Sequence, residues 1–133
     1  MKQIKLLFYN YYRFQIYVGN RDIAPFMSIL LIVFIFIIYM GGLNFLFTIL
    51  FPKGMPFLNF KMIWYFTCFL SLFFFIFLYF KFLYREKYKI IFKEIEDNKS
   101  SKNKAFAIIF PVIGFVVFNL GWILKMLQNQ GKW

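Results

Sequence analysis

Five polar side chains lie within long apolar stretches of this sequence and are its first candidates for chemistry. They are Asn44, Thr48, Thr67, Ser71 and Asn119. Amide and hydroxyl groups in hydrocarbon seek each other, and each hydrogen bond between helices contributes about 0.6 to 2 kcal/mol. We therefore predict a polar cluster that holds neighbouring helices in register. The alternative is a small polar cavity that lines a pore in a homo-oligomer.

The residue types that catalysis and metal binding usually require are scarce. The chain of 133 residues has no histidine, one cysteine (Cys68) and five acidic residues. A lone cysteine without histidine provides no ligand set with a recognised metal-binding spacing. A glycine-rich phosphate loop and a nucleophile motif are also missing from the sequence. We predict no catalytic residues, no metal and no cofactor, and hence a protein that is not an enzyme.

Three uncharged runs are long enough to carry the polar residues across a membrane. They cover residues 23–52, 62–80 and 105–124, which is 30, 19 and 20 residues. About 20 helical residues cross a hydrocarbon layer of about 30 Å, because a helix rises about 1.5 Å per residue. Hydrophobic residues make up 62% of the chain, which is more than a soluble core of this size needs. The sequence predicts an all-α membrane protein with three transmembrane helices.

These elements are predicted to form a single integral membrane domain over residues 1–133. The predicted parts are an interfacial helix at 1–19, span 1 at 23–51, span 2 with a cytoplasmic extension at 62–97, and span 3 at 104–125. The N-terminal helix is amphipathic because apolar residues recur at spacings of three and four. Its stripe consists of Ile4, Leu7, Tyr11, Phe14 and Val18.

The surroundings of the N-terminal helix allow two interpretations. A basic amphipathic helix can lie in the headgroup region of a bilayer, with its apolar side toward the hydrocarbon. The alternative is a helix packed on the charged stretch 84–104.

The second span is predicted to continue past the membrane as one helix to about Asp97. No glycine or proline occurs from Lys61 to Lys104 to interrupt it. Apolar residues on the extension recur at spacings of four, three and four. A stripe of this kind on a projecting helix suits the groove of a protein partner. The predicted partner-binding residues are Tyr84, Tyr88, Ile91 and Ile95.

Small residues on the spans predict places where two helices pack closely. They are Gly41, Gly42, Ala107, Gly114 and Gly121. The missing or small side chain lets another helix backbone approach. Pro111 lies on the same side of span 3 and is expected to kink the helix or loosen one turn.

The distribution of charge predicts the orientation of the chain. With the N-terminal segment and the second loop inside, twelve of the sixteen basic residues lie on the cytoplasmic side. This favours a bacterial inner (cytoplasmic) membrane, with the N-terminus cytoplasmic and the C-terminus outside. Four of the five acids are interleaved with the bases of 84–104 and would repel phosphate, so no nucleic acid is expected. The expected partners are the lipid bilayer and either another protein or a second copy of the chain.

Three segments carry a resemblance to small three-span bacterial inner-membrane proteins. They are YNYYRFQIY at 9–17, DIAPFMSILL at 22–31 and YREKYKIIFKEIE at 84–96. The chain resembles such proteins over most of its length. The resemblance implies an accessory or immunity-type partner of a larger membrane system and assigns no functional residue.

Overall fold

The computed structural model describes residues 2–51, 60–97 and 104–131. Five α-helices account for most of them: α1 (Lys2–Tyr17), α2 (Ala24–Leu50), α3 (Phe60–Leu78), α4 (Lys87–Asp97) and α5 (Lys104–Asn129). No strand occurs within the described ranges. The predicted all-α class is therefore confirmed.

Three helical segments are long and apolar enough to cross a membrane. They are Ala24–Leu50, Lys61–Glu96 and Lys104–Asn129. In the most apolar window of the third segment, only 11% is buried inside the chain. Exposed apolar surface of this extent is stable only where lipid covers it, because water would penalise it in proportion to its area. The protein is a membrane protein with three candidate transmembrane helices.

The helices form two compact units. The first comprises Met1–Phe34 with Phe73–Phe110, and the second comprises Ile35–Leu72 with Pro111–Trp133.

The core of the first unit is aromatic and aliphatic, and α1 supplies its centre. Phe8 of α1 is fully buried and stacks on Phe82, with 4.3 Å between ring centroids. It also stacks on Phe92 of α4 at 5.7 Å. Other buried members of this core come from α1, α2, α3 and α4: Leu7, Ile29, Ile32, Leu78, Ile91 and Ile95. The N-terminal helix thus packs on the segment 84–97, which is the alternative that the sequence left open.

The buried face of α1 differs from the predicted stripe. Phe8 and Tyr9, which lay outside that stripe, are buried, whereas Phe14 and Val18 are exposed. Phe92 of α4 explains why the buried face of α1 is rotated from the predicted stripe, because the Phe92 ring contacts both Phe8 and Tyr9. Aromatic contacts of this kind contribute about 0.5 to 1.5 kcal/mol beyond the area that they bury.

The predicted continuous helix from span 2 to Asp97 is interrupted in the structure. Tyr79–Leu83 is a π-helical turn and Tyr84–Glu86 is a short 3₁₀ turn. Arg85 and Glu86 have φ values of 55° and 53°, in the left-handed region that costs a non-glycine residue about 1 to 2 kcal/mol. The break directs α4 onto α1. Burying a side chain such as Ile91 or Ile95 gains about 1.5 to 3 kcal/mol, so the two isoleucines together exceed the backbone cost.

A glycine cap ends α1 before the first span begins. Gly19 has a φ of 97°, a conformation that glycine adopts without a steric penalty. Its N–H donates to the carbonyl of Ile16 at 3.1 Å, and the N–H of Asn20 donates to that of Gln15 at 2.9 Å. This pair of bonds satisfies two carbonyls at the end of the helix. It separates α1 from α2 as the Gly19-Asn20 pair suggests.

Pro111 lies within α5, and the helix is continuous through it from Lys104 to Asn129. A proline has no N–H, so the carbonyl four residues earlier, that of Ala107, loses its helical donor. The hydroxyl of Tyr11 on α1 donates to this carbonyl at 3.0 Å. Tyr11 therefore replaces the bond that Pro111 removes, and links α1 to α5 within the first unit.

We expect Tyr11→Phe to destabilise the protein by about 0.5 to 1.5 kcal/mol, the net contribution of one hydrogen bond. In a Pro111→Ala background the backbone N–H of residue 111 can reach the Ala107 carbonyl, and the cost of Tyr11→Phe should largely disappear. A double-mutant cycle of unfolding free energies in detergent measures this coupling. Additive effects of the two substitutions would contradict the replacement.

Candidate functional site

The polar cluster in the second unit joins α2 to α3. Asn44 Nδ2 donates to Thr67 Oγ1 at 2.8 Å, and this hydroxyl donates to the carbonyl of Ile63 at 2.9 Å. Ser71 Oγ donates to the carbonyl of Thr67 at 2.8 Å. Asn44, Thr67 and Ser71 are all buried. A single interhelical bond is therefore buried among apolar side chains, where an unpaired amide would be costly.

The structure does not bring the other two predicted polar residues into this chain of bonds. Thr48 Oγ1 donates to the carbonyl of Phe45 at 2.8 Å, within its own helix. Asn119 Nδ2 likewise donates within its helix, to the carbonyl of Phe115 at 2.7 Å. Of the five predicted residues, Asn44 and Thr67 thus bond each other between two helices, whereas Ser71, Thr48 and Asn119 bond the backbones of their own helices.

We expect Thr67→Val to destabilise the protein by about 0.6 to 2 kcal/mol, because valine has a similar shape and leaves Asn44 Nδ2 without its acceptor. Ser71→Ala is the matched control, since its hydroxyl bonds only the backbone of its own helix. The measurement is the midpoint of unfolding in sodium dodecyl sulfate. Equal losses in the two variants would show that the interhelical bond contributes nothing specific.

Two polar residues near the end of α5 cap the carboxyl end of α2. Lys125 Nζ donates to the carbonyl of Thr48 at 3.4 Å and to Gln128 Oε1 at 2.8 Å. Gln128 Nε2 donates to the carbonyl of Ile49 at 3.3 Å. Cations favour the carboxyl ends of helices, where carbonyls lack intrahelical donors. This cap was not predicted from the sequence, although Lys125 and Gln128 follow span 3 at a spacing of three residues, which was a usable signal.

The predicted close-packing glycines lie where α2 meets α5 in the second unit. A Cβ added to Gly121 would lie 2.9 Å from the carbonyl oxygen of Gly42. One added to Gly114 would meet the ring of Tyr39, and one added to Gly41 would meet the ring of Phe118. Ala107 instead lies in the first unit, buried beside α1. Four of the five small residues thus lie at the close contact between α2 and α5.

The predicted partner-binding stripe divides between core and surface. Ile91 and Ile95 are buried in the core of the first unit, and Tyr88 packs against that core. Tyr84 is exposed, in the turn that precedes α4. In this conformation α1 covers the two isoleucines, so they contact their own chain and are not available to another protein.

The α4 surface, defined here as the exposed residues Lys87, Ile90 and Lys93, lies on the side of the helix away from its buried isoleucines. Ile90 is 72% exposed, and both lysines are exposed. The spacing of three residues places each lysine beside Ile90 on the helix surface. The surface combines one apolar side chain with two cations.

Ion pairs and tyrosines border the contact between α1 and α4. Lys5 Nζ lies 2.9 Å from Glu94 Oε2, and Lys89 Nζ lies 2.5 Å from Glu86 Oε2. Both pairs are partly or largely exposed to solvent, where such pairs contribute at most about 1 kcal/mol. Tyr12 stacks near Phe92, with 4.4 Å between ring centroids. Burial raises the pKa of the Tyr12 hydroxyl above its ordinary value, and the neighbouring Tyr88 adds to this effect.

Lys81 lies in the π-helical turn, and its ammonium is enclosed by protein. Within the described part of the chain its Nζ makes no hydrogen bond. The nitrogen lies 5.3 Å from the ring centre of Phe77 and 5.9 Å from that of Phe82. Such cation–π contacts contribute about 0.5 to 2 kcal/mol, whereas the effective cost of burying a charge is several kcal/mol. The ammonium therefore lacks a sufficient acceptor.

Lys81 was not among the site residues predicted from the sequence. The missed signal is a lone cation that directly follows an uncharged run and has phenylalanines four residues before it and one residue after it. Its environment depends on residues far away in the chain, since Phe8 of α1 stacks on Phe82. Local sequence does not contain that contact.

No cluster of three or more His, Cys, Asp or Glu side chains that could hold a metal ion occurs among the described residues. Cys68 is a free, exposed cysteine on α3. The arrangement of the described side chains offers contact surfaces and hydrogen-bond donors. Comparisons with protein-family models, with curated proteins and with solved structures gave no match to this chain.

Proposed function

We propose that this small integral membrane protein acts by binding, as an accessory, assembly or immunity-type partner of a larger membrane system. The observation that carries the proposal is the α4 surface. Ile90 is 72% exposed on a helix whose other aliphatic side chains, Ile91 and Ile95, are buried against α1. An apolar anchor surrounded by polar residues is the usual plan of a protein–protein contact.

The charge of this surface indicates the kind of partner. Lys87 and Lys93 flank Ile90, and the whole chain has a net charge of +11. Complementary charge speeds association and disfavours wrong partners. The partner that fits is a membrane protein with an acidic segment beside an apolar pocket, on the same side of the membrane as α4.

The test compares substitutions at two exposed apolar residues, Ile90 on α4 and Phe14 on α1. Affinity purification from cross-linked native membranes, followed by mass spectrometry, should recover a protein partner with the wild-type chain and with Phe14→Ser. Recovery of that partner should fall about tenfold or more with Ile90→Glu, because a carboxylate replaces the apolar anchor. Both residues are more than half exposed, so neither change should unfold the chain. The same partner recovered in equal amount with Ile90→Glu would remove the α4 surface from this role.

The polar cluster supports a binding role over the alternative of a homo-oligomeric pore. Asn44 and Thr67 are buried and bonded to each other, as expected of groups that hold helices in register. We expect liposomes that contain only the purified protein to show background ion flux. Conductance that Asn119→Leu abolishes would favour the pore instead.

We further propose that the chain lies in a bacterial inner membrane with its N-terminus in the cytoplasm and its C-terminus outside. The bias of basic residues toward the N-terminal segment and the second loop supports this orientation. Cysteines introduced as Lys99→Cys and Gln130→Cys in a Cys68→Ser background test it. An impermeant maleimide added to intact spheroplasts should label residue 130, and should label residue 99 only after permeabilisation. Equal labelling of both positions in intact cells would contradict three spans.

A further inference from the structure

A buried ammonium at the edge of an apolar span raises the question of what accepts its hydrogen bonds. Lys81 is the first charged residue after the uncharged run 62–80. A run of that length crosses the hydrocarbon layer, so Lys81 lies at the depth where hydrocarbon gives way to lipid headgroups. Two phenylalanine rings face its Nζ, and no protein acceptor bonds it within the described part of the chain.

The charges beside Lys81 favour an acceptor that comes from outside the protein. The charged group that acts on Lys81 is another cation, Lys5. Lys5 Nζ in turn donates to Glu94 Oε2 at 2.9 Å, so this carboxylate already has a cation as its partner. Two like charges repel each other, and an anion that bonds the Lys81 ammonium would offset this repulsion.

The backbone around Lys81 has a geometry that proteins use at functional positions. Tyr79–Leu83 forms a π-helical turn, closed by a bond from the N–H of Tyr84 to the carbonyl of Tyr79. Such turns are rare in proteins, and those that do occur are often found at functional sites. The long, flexible stem of a lysine lets its ammonium move outward to meet a headgroup.

We propose that Lys81 binds the phosphate of an anionic membrane phospholipid, with Lys5 supplying a second positive charge to the same headgroup. The phosphate oxygens accept hydrogen bonds from Lys81 Nζ, so the buried ammonium is no longer without an acceptor. A phospholipid is favoured over a soluble anion because the ammonium is enclosed at headgroup depth and adjoins apolar rings. An anionic lipid is favoured over a zwitterionic one because a headgroup ammonium would be repelled by both lysines. This inference does not depend on the proposed protein partner.

The experiment uses the full chain in nanodiscs made of equal parts phosphatidylglycerol and phosphatidylcholine. Native mass spectrometry after gentle release should find phosphatidylglycerol retained by the wild type and retained about tenfold less by Lys81→Met. Lys104→Met is the matched control, because it removes one exposed cation from the same unit and should retain the lipid as the wild type does. Lys81→Arg should also retain it.

A second measurement requires no substitution at Lys81. The unfolding temperature of the wild type should rise as the share of phosphatidylglycerol rises, whereas 10 mM inorganic phosphate in phosphatidylcholine discs should have little effect. A flat response to phosphatidylglycerol, equal stabilisation by inorganic phosphate, or equal lipid retention by wild type and Lys81→Met would each overturn the lipid site. Loss of a co-purifying protein in place of a lipid from Lys81→Met would assign the ammonium to a protein carboxylate and overturn it as well.

Discussion

Phe8→Ala should release α1 from α4, with a loss of about 3 to 5 kcal/mol in the free energy of their association. Phe8 is 0% exposed and stacks on both Phe82 and Phe92. Truncation of its ring removes buried apolar area and leaves a cavity at the centre of the first unit. Hydrogen exchange of the backbone amides of α1 and α4 measures the result. Their exchange should accelerate by about 10² to 4 × 10³-fold, since each 1.4 kcal/mol corresponds to a factor of ten.

The matched control for this prediction is Phe14→Ala on the same helix. Phe14 is 56% exposed, so its truncation removes little buried area and should change the exchange of α1 by less than about threefold. Release of α1 should also uncover Ile91 and Ile95, which α1 covers in the intact protein. Similar acceleration in both variants, or none in Phe8→Ala, would show that the aromatic stack does not hold α1 in place.

Gly121→Ala should destabilise the protein by about 1 to 3 kcal/mol. The added Cβ would lie 2.9 Å from the carbonyl oxygen of Gly42 and 3.1 Å from Cβ of Phe45. The carbonyl belongs to the backbone of α2 and cannot rotate away, so the two helices must separate. This cost exceeds the gain of up to about 1 kcal/mol that alanine normally gives over glycine inside a helix.

Gly41→Ala is the control for the helix contact, because only side chains oppose it. Its added Cβ would meet the ring of Phe118 at 3.0 Å and that of Trp64 at 3.7 Å. A ring can turn by the few tenths of an ångström required, so the change should be nearly neutral. Unfolding midpoints in sodium dodecyl sulfate compare the two variants. A loss in Gly41→Ala that matches the loss in Gly121→Ala would refute the argument from backbone contact.

The membrane class could be predicted from the sequence because it depends on local properties. The three uncharged runs alone specify lengths and hydropathies that suit a bilayer, and the structure forms helices over all three. The helix end at Gly19 was also readable, because a glycine there permits the left-handed cap. The expectation of hydrogen bonds among polar groups of the spans followed from the same logic, and in the structure Asn44 bonds Thr67.

The break before α4 could not be predicted, because nothing between Lys61 and Lys104 interrupts a helix locally. Arg85 and Glu86 adopt left-handed φ values, and the chain beyond them buries Ile91 and Ile95 in a core that α1 shares. The spacing of the partner-binding stripe is therefore that of a helix, but the exposure of its side chains depends on contacts with residues elsewhere in the chain. Lys81 was missed for a similar reason, since Phe82, one of the two rings near its ammonium, stacks on Phe8 of α1.

The sequence by itself thus determined that this protein is a helical membrane protein, since hydropathy, length and turn residues act over a few neighbouring positions. Only the tertiary structure decided which faces of the helices are buried. Tyr11 of α1 meets the Ala107 carbonyl that Pro111 leaves without a donor, and Phe8 meets rings more than seventy positions away in the sequence. The physical reason is that burial depends on partners that are distant along the chain, and the pattern of a single segment does not specify them.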